Sequence, residues 1–188
     1  MRSQLKFIIA SSIIVISIAS CKNDNKPVEE QTNFAKEPPR EMYLNQIKKL
    51  EDEMHKSTEL NNVTGNLAVK AYSDYVLFFP NDSVAPDYLF KAAEIATATQ
   101  QYPQALIYYQ NITSKYPKYK LIQESLYLQG YLLDNFLNDD AKAKLIYEEV
   151  IQKYPTSTYA NDAKSAIKNL GKSDEELIKE FKKKNGGK

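Results

Sequence analysis

"ALIYYQNITSKYP", from Ala105 to Pro117, decides the fold, because it occurs three times in altered form. "AVKAYSDYVLFFP" runs from Ala68 to Pro80 and "AKLIYEEVIQKYP" from Ala143 to Pro155. Each reads alanine, three residues, tyrosine, seven residues, proline, and the prolines stand 37 and 38 positions apart. A period of that length is the mark of a chain built from stacked, similar units.

The spacing has a mechanical meaning. Proline cannot continue a helix and pushes the residue before it out of the α region, so Pro80, Pro117 and Pro155 each close a helix. The aromatics just before them, Phe79, Tyr116 and Tyr154, are placed to plug the seam between units. Ala68, Ala105 and Ala143 are small enough to let two helices approach within about 8–9 Å. Ala93 and Gly130, a dozen residues earlier in the second and third units, are their expected small partners. Tyr72, Tyr109 and Tyr147 follow one turn later and fill the space those small residues leave. The unit is a helical hairpin.

These residues resemble the tetratricopeptide repeat: Ala93, Ala105, Tyr109 and Pro117 in one unit, Gly130, Ala143, Tyr147 and Pro155 in the next. Residues 41–80 carry only the second half of the pattern, no tryptophan takes the usual early aromatic position, and the units exceed the standard length. The resemblance implies an all-α stack of about three to four antiparallel hairpins. It also implies a groove lined by the first helices of successive units, holding an extended peptide or a partner's helix. By motif position the groove-facing residues are Phe90, Glu94 and Thr97, then Tyr127, Tyr131 and Asp134. Phe90 and Glu94 stand at two positions where chaperone-binding relatives carry lysine and asparagine to grip a C-terminal carboxylate. That use is therefore disfavoured, and an aromatic, mildly acidic groove suits apolar and basic side chains. The alternative is that Tyr127 and Tyr131 only pack against the neighbouring hairpin.

Around these units the helical map extends in both directions. Tyr43, Ile47, Leu50 and Met54 form one stripe of a helix over about 40–60, and "NNVTGN" reads as the turn after it. Pro86 and Pro103 suit the first turns of helices ending near Thr99 and Lys115. Further helices are predicted over 119–137, 140–153 and 157–170. After Gly171, "SDEE" is a capping box with Ser173 as N-cap and Glu176 reaching back. The helix it starts ends in Lys182, Lys183 and Lys184, which favour the negative helix terminus. As a terminal element it is expected to cap the open end of the stack.

The beginning of the chain is of another kind. Arg2 and Lys6 precede "FIIASSIIVISIA", Phe7–Ala19, a charged segment and an apolar segment of signal-peptide length. A membrane-spanning helix needs about 20 apolar residues, and this run is shorter and dotted with serine. Ile18-Ala19-Ser20 leads directly into Cys21, the only cysteine, so no disulfide framework exists within the chain. This junction resembles the lipobox of bacterial lipoproteins, with isoleucine where leucine is commonest. The resemblance implies cleavage before Cys21, a diacylglycerol on its sulfur and an acylated amine. Two or more acyl chains hold firmly where one binds only marginally. Lys22 is not the aspartate that retains some lipoproteins at the inner membrane, which points to the outer membrane, and "CKND" has some likeness to acidic surface-export signals. Lys22–Arg40 contains few apolar residues and three prolines and reads as a flexible tether. The expected organisation is a signal peptide over 1–20, a tether over 21–40, repeats over 41–171, and a capping helix with basic tail over 172–188.

Charge and residue types narrow the chemistry. The chain has 25 basic and 24 acidic side chains, and loss of residues 1–20 removes Arg2 and Lys6 and no acid, leaving a formal charge of −1. Nucleic-acid binding would favour a dense basic face instead. His55 is the only histidine. With Glu59 it forms a two-ligand corner that lacks a third ligand, so a solvated face is the better reading, and no metal or cofactor is expected. Asp139-Asp140 suits a helix N-terminus and Glu148-Glu149 a surface. No phosphate loop or nucleophile motif occurs, which argues against catalysis.

"KYPTSTYANDAKSAI", residues 153–167, is similar to repeat junctions of the β-barrel-assembly and Tol–Pal coordinator lipoproteins of the outer membrane. Together these resemblances imply a non-enzymatic scaffold, lipid-anchored at the outer membrane and facing the periplasm or the cell surface. Its expected partners are envelope proteins or extended peptides, with the bilayer held through acylated Cys21. The alternative is an accessory docking subunit of an envelope enzyme or transport system.

Overall fold

The computed structural model of the protein describes residues 39–56, 61–184 and 186, which form eight α-helices and no strand. They are α1 (Arg40–Lys56), α2 (Asn62–Phe78), α3 (Ala85–Ala98), α4 (Tyr102–Lys115), α5 (Ile122–Asn135), α6 (Asp140–Lys153), α7 (Thr158–Asn169) and α8 (Asp174–Lys184). The readings made of residues 1–38, Cys21 among them, lie outside the described residues.

The prolines end their helices in one repeated geometry. Phe79, Tyr116 and Tyr154 are the C-caps of α2, α4 and α6, with φ of −125°, −126° and −132° and ψ of 55°, 62° and 56°. Their N–H groups still donate to the carbonyls of Tyr75, Ile112 and Val150, so the turn closes although the cap has left the α region. Pro86 and Pro103 lie in the first turns of α3 and α4, where a missing N–H costs nothing. At α6 and α7 a side chain satisfies one of the first orphan donors. Asp139 Oδ1 accepts from the Lys142 N–H at 3.1 Å, and Ser157 Oγ from that of Ala160 at 3.0 Å. The capping box of α8 is formed, with the Ser173 N–H donating to Glu176 Oε2 at 2.9 Å.

Two boundaries differ from the sequence reading. "NNVTGN" is not a turn: Asn61 Oδ1 accepts from the Val63 N–H at 2.8 Å and starts α2, and Gly65 lies buried inside that helix. The α5 helix starts at Ile122 because bonds from the Tyr119 N–H to the Tyr116 carbonyl and from the Ile122 N–H to that of Tyr119 hold residues 116–122 in turns.

Each helix from α1 to α7 packs chiefly on its chain neighbours, and α5 also meets α7, two elements on. The first helices of the hairpins, α1, α3, α5 and α7, thus form one layer and α2, α4 and α6 the other. Ala68, Ala93, Ala105 and Ala143 are all buried at the contacts. The core falls into two clusters. Ile47, Tyr72, Tyr75 and Ile112 belong to one that runs from α1 to α5, and Leu126, Leu133, Tyr147 and Val150 to one around α5, α6 and α7. The α8 helix leaves Ile178 53% and Phe181 68% exposed, so its cover of the stack is partial.

Candidate partner-binding groove

The six residues expected to face the groove take three different positions. Phe90 is in the core, 6% exposed, its ring edge-on to Tyr109 at 5.6 Å and tilted against Tyr119 at 6.3 Å. Thr97 is half-buried and turns its hydroxyl back onto the Ala93 carbonyl at 2.8 Å. Glu94 is exposed on α3. Tyr127, Tyr131 and Asp134, all from α5, come together on the wall of one cavity of about 640 Å³. Asp162 of α7, Lys172 and Leu177 of α8 close its other side.

Three tyrosine rings and the carboxylates of Asp134 and Asp162 share this cavity with the amides of Asn135, Asn138 and Asn169. Tyr127 lies 5.6 Å from the Tyr147 ring and 5.5 Å from that of Tyr159, both tilted. The Tyr147 hydroxyl donates to Asp134 Oδ2 at 3.2 Å. Burial, with a smaller contribution from Asp140, raises the Asp134 carboxyl above its ordinary range against the opposing pull of that bond. Burial and then Asp162 raise the Tyr127 phenol. On α3, Glu94 is exposed as a whole residue, but partial desolvation of its carboxyl and then the Glu124 charge raise it, so negative charge also gathers between α3 and α5. Among the described residues Lys172 is the one cation on the cavity wall, and its Nζ is held by Glu180 Oε1 and Oε2 at 2.8 and 2.7 Å. A guest bringing its own positive charge and an apolar stem would meet rings and carboxylates with little opposing charge.

The other singled-out residues support this wall or lie away from it. The Tyr72 hydroxyl donates to Glu51 Oε1 at 2.8 Å, and Lys91 Nζ reaches the same oxygen at 2.6 Å while lying over the rings of Tyr72 and Tyr88 at 5.9 and 5.8 Å. The Tyr147 ring covers Gly130. His55 is exposed, and Glu59 lies outside the described residues. Among the described residues no three histidine, cysteine, aspartate or glutamate side chains converge as a metal site. Asp139 caps α6, while Glu148 and Glu149 face Lys144 and Lys153 along the same helix. No helix among the described residues is long and apolar enough to cross a membrane.

Glu124 and Asp162 were missed in the sequence, although a signal was present. Asp87, Glu124 and Asp162 are spaced by 37 and 38 residues, as the prolines are, which puts an acid near the start of each of three first-layer helices.

Residues 87–119 and 124–157 each match the Tetratricopeptide repeat family. The two matches fall on the α3–α4 and α5–α6 hairpins and stop at the turns that Pro117 and Pro155 open. No curated protein matched the chain. The α1–α2 pair has the same hairpin form outside the matched residues. Repeats of this family bind protein or peptide partners, and the cavity lies along the second matched unit.

Proposed function

From a tetratricopeptide-repeat chain with this groove, we propose a non-enzymatic scaffold that captures protein partners in the bacterial cell envelope. Acylated Cys21 anchors it at the outer membrane, and residues 22–40 give the repeats their reach. The aromatic, carboxylate-lined cavity formed by Tyr127, Tyr131 and Asp134 carries the binding part of this reading. The lipobox-like Ile18-Ala19-Ser20-Cys21 supports the anchoring part. The geometry favours a partner segment that offers lysine or arginine beside an aliphatic or aromatic residue.

Crosslinking with mass spectrometry in the native organism tests both parts. A photo-crosslinker at position 131 is expected to join the chain to envelope proteins, and the mature N-terminal peptide is expected to carry acyl mass on Cys21. An unmodified thiol on mature protein overturns the anchor, and an absence of crosslinks where a positive control succeeds overturns the scaffold. Crosslinks confined to one enzyme or transporter would favour the accessory-subunit reading.

A further inference from the structure

A second cleft, of about 710 Å³, lies at the edge of the stack, where the α2–α3 turn meets the α4–α5 turn. Its surface is built from Pro80, Pro86, Pro117, Tyr116 and Tyr119, with lysines at 115, 118 and 120. The Tyr116 hydroxyl donates to the Pro80 carbonyl at 2.8 Å and ties one turn to the other, so the wall is fixed across the repeat seam.

The charges of this cleft do not cancel. Asp82 is engaged by Arg40 Nε at 2.6 Å, by the Tyr75 hydroxyl and by the Val84 N–H at 3.2 Å. Asp87 accepts from the Tyr119 hydroxyl and pairs with Lys120 Nζ, each at 2.9 Å. Both acids are therefore occupied and Lys120 is spent. Lys115 and Lys118 are exposed, and neither has a carboxylate within ion-pair distance among the described residues. Two uncompensated ammonium groups thus border a proline- and tyrosine-lined surface, the reverse of the charge in the groove.

We propose that this cleft docks an acidic segment of a partner protein, its carboxylates meeting Lys115 and Lys118 and its proline or aliphatic residues lying on Pro80, Tyr116 and Pro117. Proline rings and tyrosine faces offer such a segment apolar contact at little conformational cost, and the lysines select its sign. The proposal goes beyond the groove reading: one small stack then presents two faces of opposite charge and holds two different segments at once.

Fluorescence anisotropy with the purified full-length protein tests it, using a labelled peptide in which glutamate alternates with proline and leucine, and its lysine counterpart. The acidic peptide is expected to bind, and Lys115→Glu with Lys118→Glu is expected to weaken it by about tenfold or more. Circular dichroism should be unchanged, since both side chains are exposed. Tyr131→Ala, in the other cavity, should leave this affinity intact. No binding of the acidic peptide, or equal binding by the double variant, overturns the proposal. So does loss of binding to phosphatidylglycerol vesicles in the variant without any peptide binding in the wild type, which would assign the lysines to lipid.

Discussion

The ring of Tyr147 lies directly over Gly130, so close that a methyl group on Gly130 would fall 2.7 Å from both Cδ1 and Cε1. The ring cannot easily yield, since it is fully buried and its hydroxyl is tied to Asp134. Gly130→Ala is therefore expected to destabilise the protein by about 1–3 kcal/mol, the usual range for overpacking a filled core. Urea denaturation checks this; an unchanged midpoint would show that α5 and α6 can shift apart freely.

Gln100 has φ of 62°, at the end of α3. Its N–H donates to the Thr97 carbonyl and that of Gln101 to the Ala96 carbonyl, at 3.0 and 2.7 Å, the paired bonds of a Schellman stop. The left-handed conformation costs an L-residue about 1–2 kcal/mol, and glycine escapes it while adding some chain entropy to the unfolded state. Gln100→Gly should raise stability by about 0.5–1 kcal/mol. Thermal melts decide, and a lowered midpoint contradicts the argument.

Hydrogen bonds from Tyr75 and then from Arg40 lower the Asp82 carboxyl to about 2 from an ordinary value of 3.8. A carboxyl depressed on folding contributes stability that is complete above its ordinary value and is lost as pH falls through the folded one. The protein should therefore weaken between about pH 4 and pH 2 through this site. Asp82→Asn should be less stable at neutral pH and show a smaller change across that window in urea titrations.

Tyr131 is 37% exposed with its ring edge-on to Phe136, whereas the half-buried Tyr127 lies between two other tyrosine rings. Tyr131→Ala is expected to cost about 1 kcal/mol or less of stability yet reduce partner capture. Tyr127→Ala should lose more stability. Equal stability losses in the two variants would make Tyr131 a packing residue.

The raised carboxyl of Asp134 predicts how a basic peptide responds to acid. A cationic guest favours its ionised form, so binding should release protons and weaken on acidification, beginning above the ordinary range of an aspartate. Affinity for a lysine-leucine peptide, measured against pH, should fall less steeply in Asp134→Asn. An identical pH profile would separate the cavity from the binding event.

The helix ends were legible because proline acts locally: Pro80, Pro117 and Pro155 mark them to within a residue or two wherever the chain goes. The small residues were legible for a related reason, since Ala105 and Ala143 recur with the period of the hairpin. Gly65 misled because glycine in a sequence signals a turn, while here it is buried inside α2 and the Asn61 cap starts that helix. Phe90 shows a different limit. Its motif position faces the groove, but Tyr109 and Tyr119 from other elements close over it, and residues so far along the chain exert no local signal. The cavity was half legible for the same reason. Tyr127, Tyr131 and Asp134 share one helix and one stripe, whereas Asp162 and Lys172 arrive from elsewhere in the stack.

The division of the interior into two clusters that share α5 bears on how the molecule answers tension. Leu132 of α5 is buried in one cluster and Leu126 and Leu133 in the other, while Leu106 of α4 packs against both, so these two helices carry the interior from one cluster to the next. A pull between the two ends would meet joints made chiefly between chain neighbours, with α5 and α7 tied across one element, and would tend to release them in turn rather than together.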